Sequence, residues 1–296
     1  MNKATSNPTS PVIPVQLGLD DKFQFRCHKD IACFNKCCEN IDIMLTPYDI
    51  VRLKRRFGIT AREFIDAYTV DFALDGHGMP GLKLKTKDGS TACINLTPDG
   101  CGVYADRPAA CRYYALGLVS MRRNDSPVDE DFYFVVKEPH CLGHFEPQVQ
   151  TIRDYRREQG VDEYDEINRE WRQIVLKKRS SGPTVGRPSQ RSFELFYLGS
   201  YDVDGFREFV TSPGFSEVFA VDPEFNSKIV PDDIELLRFG FRLLKQVLFG
   251  EITIPLKEDA HTKRLARHRE RMAEQPFDRA RWLADAQDRL YESPGD

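Results

Sequence analysis

Eight cysteines lie between Cys27 and Cys141, and none occurs in the 155 residues that follow. Thiolates are soft ligands that favour zinc, iron and iron-sulfur clusters, and eight of them would furnish two four-thiolate sites. The first four stand as C-x5-C-x3-C-C at Cys27, Cys33, Cys37 and Cys38; the others are Cys93, Cys101, Cys111 and Cys141. Disulfides, redox-active dithiols and plain burial are the competing uses. Disulfides belong to an oxidising compartment, and the amino-terminal stretch has no uninterrupted apolar segment of the export type, which points to a cytoplasmic protein. Cysteines that merely fill a core would be scattered along the whole chain rather than confined to one half.

The side chains of adjacent residues diverge, so Cys37 and Cys38 do not fit together into one undistorted tetrahedral shell. Each serves a different site, or one bridges. The spacings match neither the C-x2-C knuckle of common zinc sites nor the C-x2-C-x2-C run of bacterial ferredoxins, and the radical-SAM signature is missing. The metal is therefore left open between iron, as an iron-sulfur cluster or as iron itself, and zinc. Arg26, Arg107 and Arg112 flank the thiols, with His28, His140 and His144 close by. Such groups would offset the negative charge of a four-thiolate centre. His77 reads as a loop residue in Asp75-Gly76-His77-Gly78.

These thiols need elements to position them. The first twenty or so residues, rich in Ser, Thr, Asn and Pro, read as a flexible lead-in, with structure beginning near Phe23. Thr46-Pro47 predicts a helix start, with Ile50, Leu53 and Phe57 on one face and Gly58 as its end. Thr60 and Glu63 form a capping box for a second helix with Phe64, Ile65 and Tyr68. Leu82 and Leu84 predict a strand that returns through Asp88-Gly89 as a hairpin carrying Cys93. A second hairpin pairs Tyr113 to Met121 with Phe132 to Val136, with Cys111 before it and Cys141 after it. From Pro147 a long amphipathic helical segment carries Val149, Ile152, Tyr155, Trp171 and Ile174. Phe206, Phe209 and Val210 follow, then a helix from Leu236 to Phe249 that ends at Gly250.

The expected class is α+β: a flexible terminus over 1–22, a small cysteine-rich unit over 23–146 in which loops and strand ends present the thiols, and a mainly helical region over 147–296 with a linker near 180–191. A chain of 296 residues with 41 % hydrophobic content does not need metal merely to fold. Its formal net charge of -4 gives no general attraction to nucleic acid or anionic membranes, and no run reaches transmembrane length. The basic run from Lys263 to Arg271 reads as a solvated helical face. Protein or small-molecule partners are expected, without nucleic acid or membrane.

Three segments together, FRCHKDIACFNKCCENIDIMLTPYDIVRLKRRFGIT, ACINLTPDGCGVYADRPAACRYYALG and PHCLG, resemble the YkgJ-like cysteine-cluster family, also described as a zinc- or iron-chelating CxxCxxCC domain. The resemblance covers roughly Phe23 to Phe145 and implies that all eight cysteines are chelating. The family spacing is C-x2-C-x2-C-C, so the longer loop after Cys27 puts the geometry around that residue in question. The family includes the amino-terminal part of flagellin lysine N-methylases. The resemblance thus implies an alternative, a protein lysine methyltransferase using S-adenosylmethionine (SAM), for which the sequence offers no assignable nucleotide pocket. A non-catalytic, zinc-stapled interaction module is a third reading.

Overall fold

The computed structural model describes residues 11–122, 129–180, 188–260 and 262. Strand β1 (Lys22–Gln24) leads into the loop of Cys27 and Cys33, which closes in a 3-10 turn over Lys36–Cys38. After β2 (Met44–Leu45), helix α1 (Pro47–Phe57) starts where Thr46 and Asp49 cap each other and proline occupies the first turn. Gly58, at φ 67°, ends it in a conformation that a side chain would resist. The Thr60–Glu63 box starts α2 (Ala61–Tyr68). Strand β3 (Thr69–Ala73) follows directly, and β4 (Pro80–Leu84) lies between β2 and β3 in an antiparallel sheet.

Two-residue strands β5 (Leu96–Thr97) and β6 (Gly100–Cys101) clip the loop after Cys93. Helix α3 (Ala109–Tyr113) carries Cys111 and hands the chain to the hairpin of β7 (Leu116–Arg122) and β8 (Asp129–Val135). Strand β9 (Val149–Thr151) then pairs with β1, Lys22 opposite Thr151, which closes the cysteine-bearing segment at its two ends. Helices α4 (Ile152–Gln159), α5 (Val161–Ser180), α6 (Gln190–Ser200), α7 (Val203–Val210), α8 (Pro213–Val218) and α9 (Asp233–Phe249) complete the described fold. The class is α+β with a helical second half, as the sequence predicts. No helix among the described residues is long and apolar enough to cross a membrane.

Apolar side chains fall into two clusters. The larger joins α1 and α2 (Ile50, Leu53, Phe64) to the later helices (Trp171, Phe196, Phe206, Phe241, Leu244), so the cysteine-bearing segment and the helical region share one core. Polar ties reinforce it. Lys54 of α1 bonds Asp204 of α7 at 2.9 Å and lies 3.4 Å from Asp233 of α9, while Arg207 pairs with both carboxylates. Asn168 of α5 accepts from the Tyr48 amide at 3.2 Å and donates to Thr46 at 3.0 Å, holding the start of α1. The smaller cluster gathers Phe23, Phe25, Tyr113, Leu116, Tyr133, Cys141, Ile152 and Tyr155 beneath the β7–β8 hairpin.

Several expectations are corrected. The lead-in is tied down earlier than Phe23: the Ile13 and Leu17 amides donate to Val135 and Tyr133 of β8, each at 2.9 Å, because that strand would otherwise present an unpaired edge. Residues 1–10 lie outside the described residues. Leu82 and Leu84 sit on a strand paired with β3 and β2, and the Asp88-Gly89 turn returns only as an isolated bridge between Thr86 and Cys93. Tyr113 ends a helix instead of starting a strand. Val149 lies in β9, and the long helical segment is broken at Gly160, at φ 64°. Most of the expected linker, 181–187, and the basic run from Lys263 lie outside the described residues.

Arg156 is the polar centre of the smaller core. Its guanidinium reaches the Tyr113 hydroxyl at 2.7 Å, the Tyr133 hydroxyl at 2.9 Å and Asp165 at 2.8 Å, while Tyr113 donates to Asp165. The Arg156 and Asp165 side chains are only 10 % and 9 % exposed. Removing one partner of a buried pair strands the other charge. Arg156→Met is expected to destabilise the protein by about 3 kcal/mol, measured as a lower denaturant midpoint with unchanged slope.

Candidate metal centre

Cys27 emerges from β1, Cys33 and Cys37 from the turns that follow, and Cys141 from the turn between β8 and β9. The β1–β9 pairing brings these distant pieces together, and short bonds lock them. The Arg26 amide donates to the Gly143 carbonyl at 3.0 Å, and the Leu142 amide donates to Cys33 Sγ at 3.2 Å. Gly143 is required by the crossing: a Cβ there would stand 2.6 Å from the Phe25 ring and 2.8 Å from the Arg26 carbonyl. Cys27 lies within electrostatic reach of Cys33, Cys37 and Cys141. These four thiols, with Phe25, Ile31, Tyr114 and His140, line a cavity of about 30 Å³.

The other four occupy the neighbouring face of the larger core. The Cys93 amide donates to the Cys38 carbonyl at 2.7 Å, and Cys101 ends β6. Cys111 rides on α3, whose first amide, that of Ala109, donates to the buried Asp49 of α1 at 2.8 Å. Cys38 feels Cys93 and Cys111, Cys93 feels Cys101, and Cys111 feels both Cys93 and Cys101. Cys37 and Cys38, their sulfurs 4.0 Å apart, stand at the seam. Cys37 is also felt from across it by Cys101 and Cys111, so the two sets adjoin.

Burial governs the electrostatics of both sets. It pushes the Cys27 thiol up to about 11, aided by Cys37, Cys33 and Cys141 and opposed by Arg107. Burial likewise raises Cys93, Cys101, Cys111 and Cys141. Cys37 is the exception, held down to about 7 chiefly by its contact with the Cys38 thiol, which is itself raised. Backbone amides oppose the rise at three positions with one spacing: Asn95 at Cys93, Val103 at Cys101 and Gly143 at Cys141, each two residues beyond its cysteine. Such donors stabilise sulfur in its anionic form.

The flanking cations divide. Arg107, buried and bonded to the Tyr104 carbonyl at 2.8 Å and to Gln159 at 2.6 Å, acts on both Cys27 and Cys101. Arg112 instead spends its guanidinium on the carbonyls of Arg107, Gln159 and Ala105 and lies over the Tyr164 ring, bracing α3. His140 lines the cavity, His144 Nε2 donates to the Val136 carbonyl at 3.0 Å, and His28 lies 3.3 Å from Glu146. His77 is a loop residue, its amide bonded to Asp75.

Two orphaned polar atoms adjoin the thiols. The buried Tyr114 hydroxyl lies against Cys141 and Glu138 without a hydrogen bond of normal geometry, and Asn95 Nδ2 beside Cys93 has none. Sequence reasoning passed over Tyr114, Gly143 and the amide donors; the small or turn-forming residues that follow Cys101 and Leu142 are their only linear trace. An all-sulfur donor set with inward amides and unsatisfied polar atoms suits zinc or iron–sulfur chemistry. Among the described residues, no three His, Cys, Asp or Glu side chains yet converge on a single ion-sized point.

The composition and grouping of this site are those of a chelating domain. Residues 26–142 match the family model CxxCxxCC, whose description is "Putative zinc- or iron-chelating domain". The match takes in all eight cysteines. Neither a curated protein nor a solved structure matches the chain.

Alkylation rates follow the thiolate fraction, which rises as pH passes each thiol's pKa. In metal-free, reduced protein, Cys37 is expected to be alkylated first, with its rate half-maximal near pH 7, whereas Cys27 should stay protected until about pH 11. Mass mapping of iodoacetamide adducts against pH checks this. Gly143→Ala, which drives a methyl group into Phe25 and the Arg26 backbone, is expected to cost about 1–3 kcal/mol and to expose Cys27 and Cys141 to the same reagent.

Proposed function

We propose that this protein binds iron as iron-sulfur clusters at two four-thiolate centres, one held by Cys27, Cys33, Cys37 and Cys141 and the other by Cys38, Cys93, Cys101 and Cys111. The observation that carries the reading is the cavity lined by Cys27, Cys33, Cys37 and Cys141, from whose lining Cys38, Cys93, Cys101 and Cys111 are absent. Buried thiols are costly as isolated anions, and a bound cation removes that cost. Amide donors to sulfur and Arg107 compensate the residual charge, and these are the groups that set a cluster's reduction potential. Cys27 and Cys37 are exposed, which gives the first centre an edge for electron exchange with a protein or small-molecule partner. A reducing cytoplasm suits eight free thiols.

Zinc is the second reading, favoured by the cavity of about 30 Å³ among the first four thiols, the space of one small ion or water. In either case ligation draws the thiols inward. Metal and acid-labile sulfide content, with an absorption spectrum, on protein purified without oxygen separates the two. Iron with sulfide is expected; stoichiometric zinc without colour overturns the cluster reading in favour of a structural module. Cys37→Ser and Cys38→Ser are each expected to remove about half of the metal; loss of the whole complement from either variant would exclude independent centres.

A further inference from the structure

The two thiol sets differ in what controls access to them. Of the first set, Cys27 and Cys37 are exposed and Cys33 is half-buried; only Cys141 is buried. The loop from Cys27 to Cys38 holds no regular element beyond the single 3-10 turn, and it turns at Asn35 with φ 69°. Its cover is the smaller core and a rim where Leu142 and Phe145 are 39 % and 69 % exposed. No member of the second set is exposed. Cys93 is buried within the larger core, Cys38 and Cys101 pack against it, and Cys111 is fastened through Ala109 to Asp49 of α1.

Given the two-centre reading, on which this rests, we infer that the centre of Cys27, Cys33, Cys37 and Cys141 is exchangeable, while that of Cys38, Cys93, Cys101 and Cys111 is a permanent structural centre. Removing metal from a thiolate shell requires an incoming ligand to reach it and the thiolates to swing away. In the outer set, movement of one irregular loop suffices, and the free energy of such local opening is low where few buried contacts are broken. The cavity also offers the incoming ligand the unpartnered Tyr114 hydroxyl and His140. In the inner set Cys93 lies within the larger core and Cys38 and Cys101 pack against it, so the same movement breaks contacts of that core. The outer centre is therefore the place where metal is acquired or surrendered, and the inner centre holds the scaffold that presents it.

The experiment uses the metal-loaded full chain purified without oxygen, challenged with a chromophoric chelator for iron or zinc in the presence of iodoacetamide. Half of the metal is expected in a fast phase and half in a phase slower by at least about tenfold, as expected of openings that differ in the contacts they break. Mass mapping should place the early adducts on Cys27, Cys33, Cys37 and Cys141. A single phase that labels all eight cysteines together, or early labelling of Cys38, Cys93, Cys101 and Cys111, overturns the inference and leaves the two-centre reading standing. Protein that carries no metal overturns that reading, and this inference with it. Cys141→Ser should abolish the fast phase while keeping the slow phase; retention of the fast phase would overturn the assignment of the outer set.

Discussion

Eight thiols held close together, two of them buried and four half-buried, cannot all be anions without a cation among them. Desolvation opposes each charge, and every neighbouring sulfur opposes it again. The local architecture lessens that conflict: backbone amides two residues beyond Cys93, Cys101 and Cys141 favour the thiolate at each, and Arg107 is buried where it acts on Cys27 and Cys101. These partial and full positive charges lessen the repulsion without abolishing it. A bound metal would complete the compensation, and an all-sulfur shell would select among metals by softness.

The rest of the chain supplies rigidity. Short strands and a five-residue helix would not by themselves fix thiols, because two-residue pairings contribute little. The inner set is held through α1, which is capped by Thr46 and Asp49, tied by Asn168 to α5 and by Lys54 to α7 and α9. Asp49 serves twice, closing the capping box and receiving the first amide of α3. The outer set depends on a different device, the β1–β9 pairing, with the Arg156 network behind it.

Much of this was legible in the sequence where the signal is local. Thr46-Pro47, Gly58 and the Thr60–Glu63 pair announce α1 and α2 because caps are made within four residues. The eight cysteines and the resemblance to a chelating domain were equally legible. The strand at Val149 was not, since its partner Gln24 is remote in the chain and three residues carry no periodicity. The grouping of the thiols was hidden for the same reason: Cys141 meets Cys27 only after that pairing forms. Arg112 misled because adjacency to Cys111 in sequence says nothing of where a long side chain ends, and its guanidinium satisfies three carbonyls.

The two cores also differ in when the growing chain can build them. Every residue of the smaller cluster, from Phe23 to Val161, has been synthesised by the time α5 begins. The larger cluster draws on Phe241, Leu244 and Ile254, near the end of the described chain. The nascent polypeptide can therefore complete the smaller core, with Cys141 inside it, while the larger one still awaits its last helix. Vectorial synthesis leaves the larger core, with Cys93 inside it, unfinished until the last long helix arrives.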